Sequence, residues 1–304
     1  VTTLQHSGEW LWIGTMAGGL HRMRLSEGRI QRVWPMQGGG NVSSLLHDPE
    51  GMLYFGSNDG QLFRIKGAGM AAEAIPQPPQ PLLSVRALLR LPDGRLLVGA
   101  ANGLWALEPA TGAWQAWTDA GAAALDVQAL ALALDGSIWV GTSREGLLRM
   151  DARGRELARF RAALNDPDQL PDDQVRALLV TRPGQLWVGT ANGLALYDPA
   201  SSRFLVWRYD AADIGSPVGN RIASLFEDRN GLIWVGTWTG GVSVHNPATQ
   251  GVRLIRHTAR SNLSLPASPV RALWRDDDGS LWVGVWVGGG LIHSDLTRGV
   301  LRGW

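Results

Sequence analysis

The sequence predicts an all-β fold, a seven-bladed β-propeller of four-stranded antiparallel blades, and three observations lead there. Variants of Leu232–Thr237 (LIWVGT) recur seven times, with their last glycine at Gly14, Gly56, Gly99, Gly141, Gly189, Gly236 and Gly284. The spacings are 42, 43, 42, 48, 47 and 48 residues, a period that marks a repeat architecture. Between markers the chain reads as four short strands parted by turn residues, with no helix-period stretch of useful length. Seven such units fill the 304 residues, so one repeat domain accounts for the length. Radial closure leaves only short outer edges. An open solenoid needs polar capping repeats, and neither end resembles one.

Each unit opens with an apolar strand such as Val175–Leu179 (VRALL) or Val270–Trp274 (VRALW). A turn follows: Asp93-Gly94, Asp135-Gly136, Pro183-Gly184, Asn230-Gly231 or Asp278-Gly279. Asn-Gly and Asp-Gly suit tight hairpins because both central residues tolerate positive φ. The second strand carries Trp12, Tyr54, Leu97, Trp139, Trp187, Trp234 or Trp282 two residues before the marker glycine. A large flat side chain there packs between adjacent sheets, and the glycine lets a neighbouring backbone or ring approach. Further turns carry Gly19, Gly60, Gly103, Gly146, Gly193, Gly241 and Gly289. They lead to a third strand such as Gly193–Asp198 (GLALYD), then to a more polar fourth such as Phe204–Tyr209 (FLVWRY).

The blades span approximately 1–36, 37–79, 80–119, 120–164, 165–212, 213–260 and 261–304. In this register blade one begins short of its first residue, and no blade mixes strands from both termini. Closure then rests on packing of blade one against blade seven, or on residues beyond this segment. Three connectors are long: Asn165–Gln174, Asp210–Asn220 and Arg260–Pro269. They join fourth to first strands on one face, which is expected to stand taller over blades four to seven and to hold the binding loops.

Composition narrows the function classes. An apolar fraction of 45% supplies a core and excludes disorder. The net charge of +1, without charge blocks, gives no support for a nucleic-acid or anionic-membrane partner. Lys66 is the one lysine, which reads as genomic base composition. The absence of cysteine excludes disulfides, thiolate catalysis and cysteine metal sites. No apolar run reaches spanning length, and Val1 does not open a signal peptide, so the segment reads as mature or excised.

Candidate ligand-binding residues are Trp238, Trp286, Arg86, Arg176, Arg221 and Arg271. Trp238 and Trp286 lie two residues past their markers, where other blades carry Met16, Ala101, Ser143 or Ala191. The pair would make an apolar platform for a sugar ring; the plainer reading is that they fill a gap at the rim. Arg86, Arg176 and Arg271 follow the first valine of strand one, and Arg221 stands next to that place. Innermost guanidiniums could bind a carboxylate, sulfate or phosphate through paired donors. Otherwise each pairs with a local carboxylate such as Asp228 or Asp276. Asp48, Asp228 and Asp276 read as turn caps rather than calcium ligands. His47 is the best acid–base candidate, and His245 and His293 read as structural. No catalytic residue, metal or cofactor is assigned: there is no G-x-S-x-G elbow, P-loop or dinucleotide fingerprint.

The pattern V-x-x-L…D-x-x-G-x-L-W-V-G-T-x-x-G-L-x-x-Y-D-P, seen in Val175–Pro199, Ile222–Pro247 and Val270–Ser294, resembles the two-component regulator propeller repeat. The connectors with Leu170 and with Asn262-Leu263-Ser264-Leu265 resemble the same family's N-P-x-S-L link. The resemblance covers essentially the whole chain. It is weakest in blades two and three, where Tyr54 and Leu97 replace tryptophan. It implies an extracytoplasmic, non-enzymatic sensor of a membrane-bound histidine kinase, hybrid two-component sensor or diguanylate cyclase. The implied partners are an oligosaccharide or small polar ligand, further domains of a parent signalling protein, and a homodimer as a possible assembly. Family members often carry a second propeller, a β-sandwich, a membrane helix and an output domain, and this chain shows one ring's worth of repeats. Two other classes stay open. The D-G-x-x-W turns are somewhat similar to those of streptogramin lyase, a propeller enzyme, and polysaccharide lyases also use the fold. Propeller faces also commonly serve as protein-interaction scaffolds.

Overall fold

A computed structural model describes residues 1–35, 40–67, 69, 71–117, 125–163, 166–213, 216–247, 251–255, 269–276, 280–286, 290–295 and 300–303. It forms seven four-stranded antiparallel sheets, each of four consecutive strands in sequence order. Blade one comprises Thr3–Ser7, Trp10–Gly14, Leu20–Arg24 and Ile30–Trp34; blade seven comprises Val270–Arg275, Leu281–Val285, Leu291–Asp295 and Val300–Gly303. Each first strand lies beside the first strand of the next blade, and that of blade one lies beside that of blade seven. The ring therefore closes side to side, with no strand shared between the termini.

The marker glycines explain how the sheets come so close. A Cβ built on Gly56 would lie 2.3 Å from Val85 Cγ1, on Gly141 2.6 Å from Val175 Cγ1, and on Gly189 2.6 Å from Ile222 Cγ2. What fills the space is chiefly the β-branched side chain opening the next blade, with that residue's backbone also close, as Val175 O is at 3.3 Å from the Gly141 position, and not a ring. The seam between blades seven and one uses the same device, with Val1 Cγ1 2.6 Å from the Gly284 position. Blade one is therefore not short of its first residue: Val1 occupies it.

The aromatic column behaves as its spacing requires. Trp12, Tyr54, Leu97, Trp139, Trp187, Trp234 and Trp282 are all buried. Trp139 packs with Val175, Val188 and Tyr197 of blade five, and at the seam Leu11, Ile13 and Met23 pack with Trp282 and Leu291. Burying about 150–250 Å² per aromatic ring gives roughly 4–6 kcal/mol of gross driving force each. That burial holds neighbouring blades together alongside a few backbone hydrogen bonds between them, such as Val42 N to Thr15 O at 2.9 Å and Gly193 N to Asn220 O at 2.8 Å.

A collar of leucines encircles the axis. Leu4, Leu45, Leu88, Leu130, Leu178, Leu225 and Leu273 each pair with the residue just before the marker glycine of their own blade. All seven pack into inter-blade clusters.

Two of the three turn aspartates, Asp48 and Asp228, cap as expected, and the turn after Asp276 lies outside the described residues. Asp48 Oδ1 accepts from Met52 N at 2.8 Å, and Asp228 Oδ1 from Asn230 N at 2.8 Å and Leu232 N at 3.1 Å. Asp228 does more: its Oδ2 accepts from Trp234 Nε1 at 2.9 Å and from Arg275 Nη1 of blade seven.

His245 is buried, with its ring 5.1 Å from Trp187 and 5.5 Å from Trp207. Burial lowers its pKa below the ordinary imidazole value. A folded pKa below the unfolded one means that the unfolded chain takes the proton first. Its stability contribution is therefore full above about pH 6.5 and is lost as pH falls through that value toward the folded pKa. Urea unfolding at pH 7.5 and 5.5 is expected to show a clear loss of stability at the lower pH. His245→Phe should lessen that loss, and an unchanged loss would remove His245 as its source.

Candidate functional site

A cavity of about 760 Å³ opens at the central mouth where the first strands begin. In blades two to seven a β-bulge lies at the second residue of the first strand. In blade five, Val175 faces Thr190 and Ala177 faces Gly189, so Arg176 is the extra residue. A bulge re-aims a side chain. The six bulged residues Ser43, Arg86, Gln128, Arg176, Ala223 and Arg271 all line the cavity. The leucines two places on, Leu45, Leu88, Leu130, Leu178 and Leu225, line its deeper part.

Trp238 and Trp286 also line the cavity. Their backbone N–H groups bond to Arg221 O at 2.9 Å and Pro269 O at 3.0 Å, which fixes each residue beside the entry of its own blade's first strand. The rings are 4.5 Å apart at 89°, edge to face, so they do not form the flat platform expected of them. Trp238 is instead a hub for cations. The guanidinium carbons of Arg176, Arg221 and Arg271 lie 5.2, 4.9 and 5.2 Å from its ring, and Arg271 is also 5.2 Å from Trp286. Each such contact contributes about 0.5–2 kcal/mol and offsets mutual repulsion without cancelling the charge.

The four candidate arginines are not equivalent. Arg86 is ion-paired with Asp126, whose carboxylate also accepts from Gln128 Nε2 at 2.9 Å and Ser143 Oγ at 2.8 Å. Arg176 donates to Gln174 Oε1 at 2.9 Å, while its Nε is buried without a partner. Among the described residues, Arg221 and Arg271 have neither a hydrogen bond nor an ion pair from their side chains. Burial first, then the neighbouring Arg221, draws the pKa of Arg176 down; burial first, then Arg176, does the same to Arg271. Both remain cations at any working pH. Trp238 Nε1 is likewise buried and unpartnered, whereas Trp286 Nε1 points at Met16 Sδ of blade one.

The expected pairing with Asp228 or Asp276 is not what neutralises these arginines. Asp228 bonds Arg275, at the far end of the strand that starts beside Arg271. Two residues at the mouth escaped the sequence reading. Asp126 directly precedes the opening Val127, and Arg144 directly follows Ser143 in the place where blade six has Thr239; both line the cavity. The register of blade four carried that signal.

The other candidates lie elsewhere. His47 ends its strand away from the mouth and bonds Ser7 Oγ at 2.6 Å through Nε2. His293 packs on Trp282 with ring centroids 4.2 Å apart and tilted by 30°. Among the described residues, no group of three or more His, Cys, Asp or Glu is placed to hold a metal ion. The taller sector expected of the long connectors falls partly on 164–165, 214–215 and 256–268, outside the described residues.

Comparison with known proteins bears on the repeat and the fold. Residues 169–192 and 216–239 match the model of the two component regulator propeller. No curated protein matches the chain. Among solved structures it is similar to the extracellular domain of a B. thetaiotaomicron protein described as a hybrid two component system (BT4673), with 17% identity, 99% of this chain and 54% of that one covered, and a TM-score of 0.54. It is also similar to the corresponding domain of BT3049 from the same organism, with 16% identity, 100% and 45% covered, and a TM-score of 0.52. The chain thus spans about half the length of both. Virginiamycin B lyase from Staphylococcus aureus shares 13% identity over 93% of this chain and 91% of its own, with a TM-score of 0.70. At such identities these likenesses show the fold alone. The chain is thus a seven-bladed propeller, two of whose units match the two component regulator propeller repeat.

Proposed function

We propose that this chain is the non-enzymatic, extracytoplasmic ligand-binding part of a bacterial signal-transduction protein, taking a small polar or anionic molecule, or an oligosaccharide, at the central mouth. The carrying observation is the mouth itself: a cavity of about 760 Å³ whose lining bears Arg86, Arg144, Arg176 and Arg271 against the carboxylate of Asp126. In a chain of net charge +1, that concentrates positive potential in one concave place. The repeat match supports a signalling role. So do relatives described as extracellular domains of one-component and two-component systems. Among the described residues no helix is long and apolar enough to cross a membrane, so in this reading anchor and output belong to further domains of the parent protein.

The lyase likeness favours a second reading less. No histidine, tyrosine or glutamate is among the described residues lining the mouth, and the Asp126 carboxylate there already accepts from Arg86, Gln128 and Ser143, which disfavours it as a general base.

A thermal-shift screen of oligosaccharides and small anions tests the proposal. A ligand that binds only the folded chain adds about 2.7 kcal/mol of stability at a hundredfold excess over its Kd. The expected result is a saturable rise in Tm that is reduced in Trp286→Ala and Arg271→Gln. A ligand whose effect survives both changes binds elsewhere and removes the mouth as the site.

A further inference from the structure

Resting on the mouth as the ligand site, we infer that the ligand docks through an oxyanion group, a carboxylate, sulfate or phosphate, seated against Trp238 between Arg176 and Arg271. Three guanidiniums gather around one indole, and for Arg221 and Arg271 no described residue supplies a counter-charge. The two buried unpartnered groups at that hub, Trp238 Nε1 and Arg176 Nε, are both donors. A buried N–H left unsatisfied is costly, so the partner it lacks is an acceptor. A neutral hydroxyl can accept from one of them but leaves the clustered positive charge as it was. An oxyanion accepts from several donors and neutralises the cluster in the same step.

The remaining wall argues the same way. The Asp126 carboxylate already accepts from Arg86, Gln128 and Ser143, so it is not a site for a cationic ligand. The Trp238 ring has three guanidiniums around it and Trp286 perpendicular to it at 4.5 Å, which crowds out flat stacking of a ligand. Burial first, then neighbouring arginines, lowers the pKa of both Arg176 and Arg271, with Asp172 opposing the shift at Arg176, so the cluster is desolvated and crowded with positive charge that an anion relieves.

The test is a calorimetric titration of the purified chain at fixed ionic strength with inorganic sulfate, inorganic phosphate, acetate and, as a neutral probe, maltose. Saturable binding of at least one of the three oxyanions is expected, and which one binds identifies the group. Arg271→Gln and Arg176→Gln are each expected to weaken it about tenfold or more. Trp238→Phe, which keeps an aromatic face and removes the N–H, should weaken it several-fold, and the remote Arg153→Gln should leave it unchanged. Oxyanion binding insensitive to all three mouth substitutions, or binding by none of the three anions, overturns the inference. Saturable maltose binding weakened by Trp286→Ala but not by Arg271→Gln also overturns it, while leaving the mouth as the ligand site.

Discussion

Replacing Asp228 with alanine is expected to lower the unfolding free energy by about 3–5 kcal/mol, the range for removing one partner of a buried ion pair. Asp228 is 1% exposed, and its carboxylate serves four donors: two backbone N–H groups of its own turn, the Trp234 indole and Arg275 of the next blade. Alanine removes all four acceptances at once. It also takes the buried carboxylate away from Arg275, itself largely buried and 5.9 Å from the Trp234 ring. Asp228→Asn should lose less, because the amide oxygen can still cap the turn. A double-mutant cycle with Arg275→Met separates the pair from the cap, since Met removes the guanidinium. Urea titration is the measurement, and a loss below about 1 kcal/mol in Asp228→Ala would show that the link between blades six and seven carries little.

Gly141→Ala is expected to destabilise by about 1–3 kcal/mol or more, the cost of overpacking a well-filled contact. The new methyl would sit 2.6 Å from Val175 Cγ1, 3.2 Å from its Cβ and 3.3 Å from its carbonyl oxygen. The strain lies in the space between two blades and not in the backbone, because the glycine is in an ordinary strand. That distinction is testable: Gly141→Ala with Val175→Ala should recover part of the loss, since the second change removes the colliding methyls. Unfolding midpoints for the two single variants and the double decide the matter. An additive double variant would contradict a direct clash.

The blade count, the strand order and the buried aromatic column were legible because each depends on residues a few places apart. Alternation, turn residues and the marker glycine repeat with the blade, and a one-residue slip would turn every core side chain outward. The leucine collar lay in the same register. Trp238 and Trp286 stood out because they exceed the repeat's own aromatic set. What stayed hidden was their angle, which depends on where the arginines of three adjacent blades settle. The bulge that turns Arg86, Arg176 and Arg271 into the mouth was hidden too, because it is a property of strand pairing and not of residue type.

Sequence alone determined that seven alike meanders stand in this chain and which residue of each packs inward, because close-range periodicity and the size of a side chain are enough for both. The tertiary structure alone decided which charges at the mouth are balanced. The carboxylate that neutralises Arg86 comes from Asp126, 40 residues away on the adjoining blade, whereas no described carboxylate reaches Arg221 or Arg271. Electrostatic pairing follows distance in space, and ring closure sets that distance.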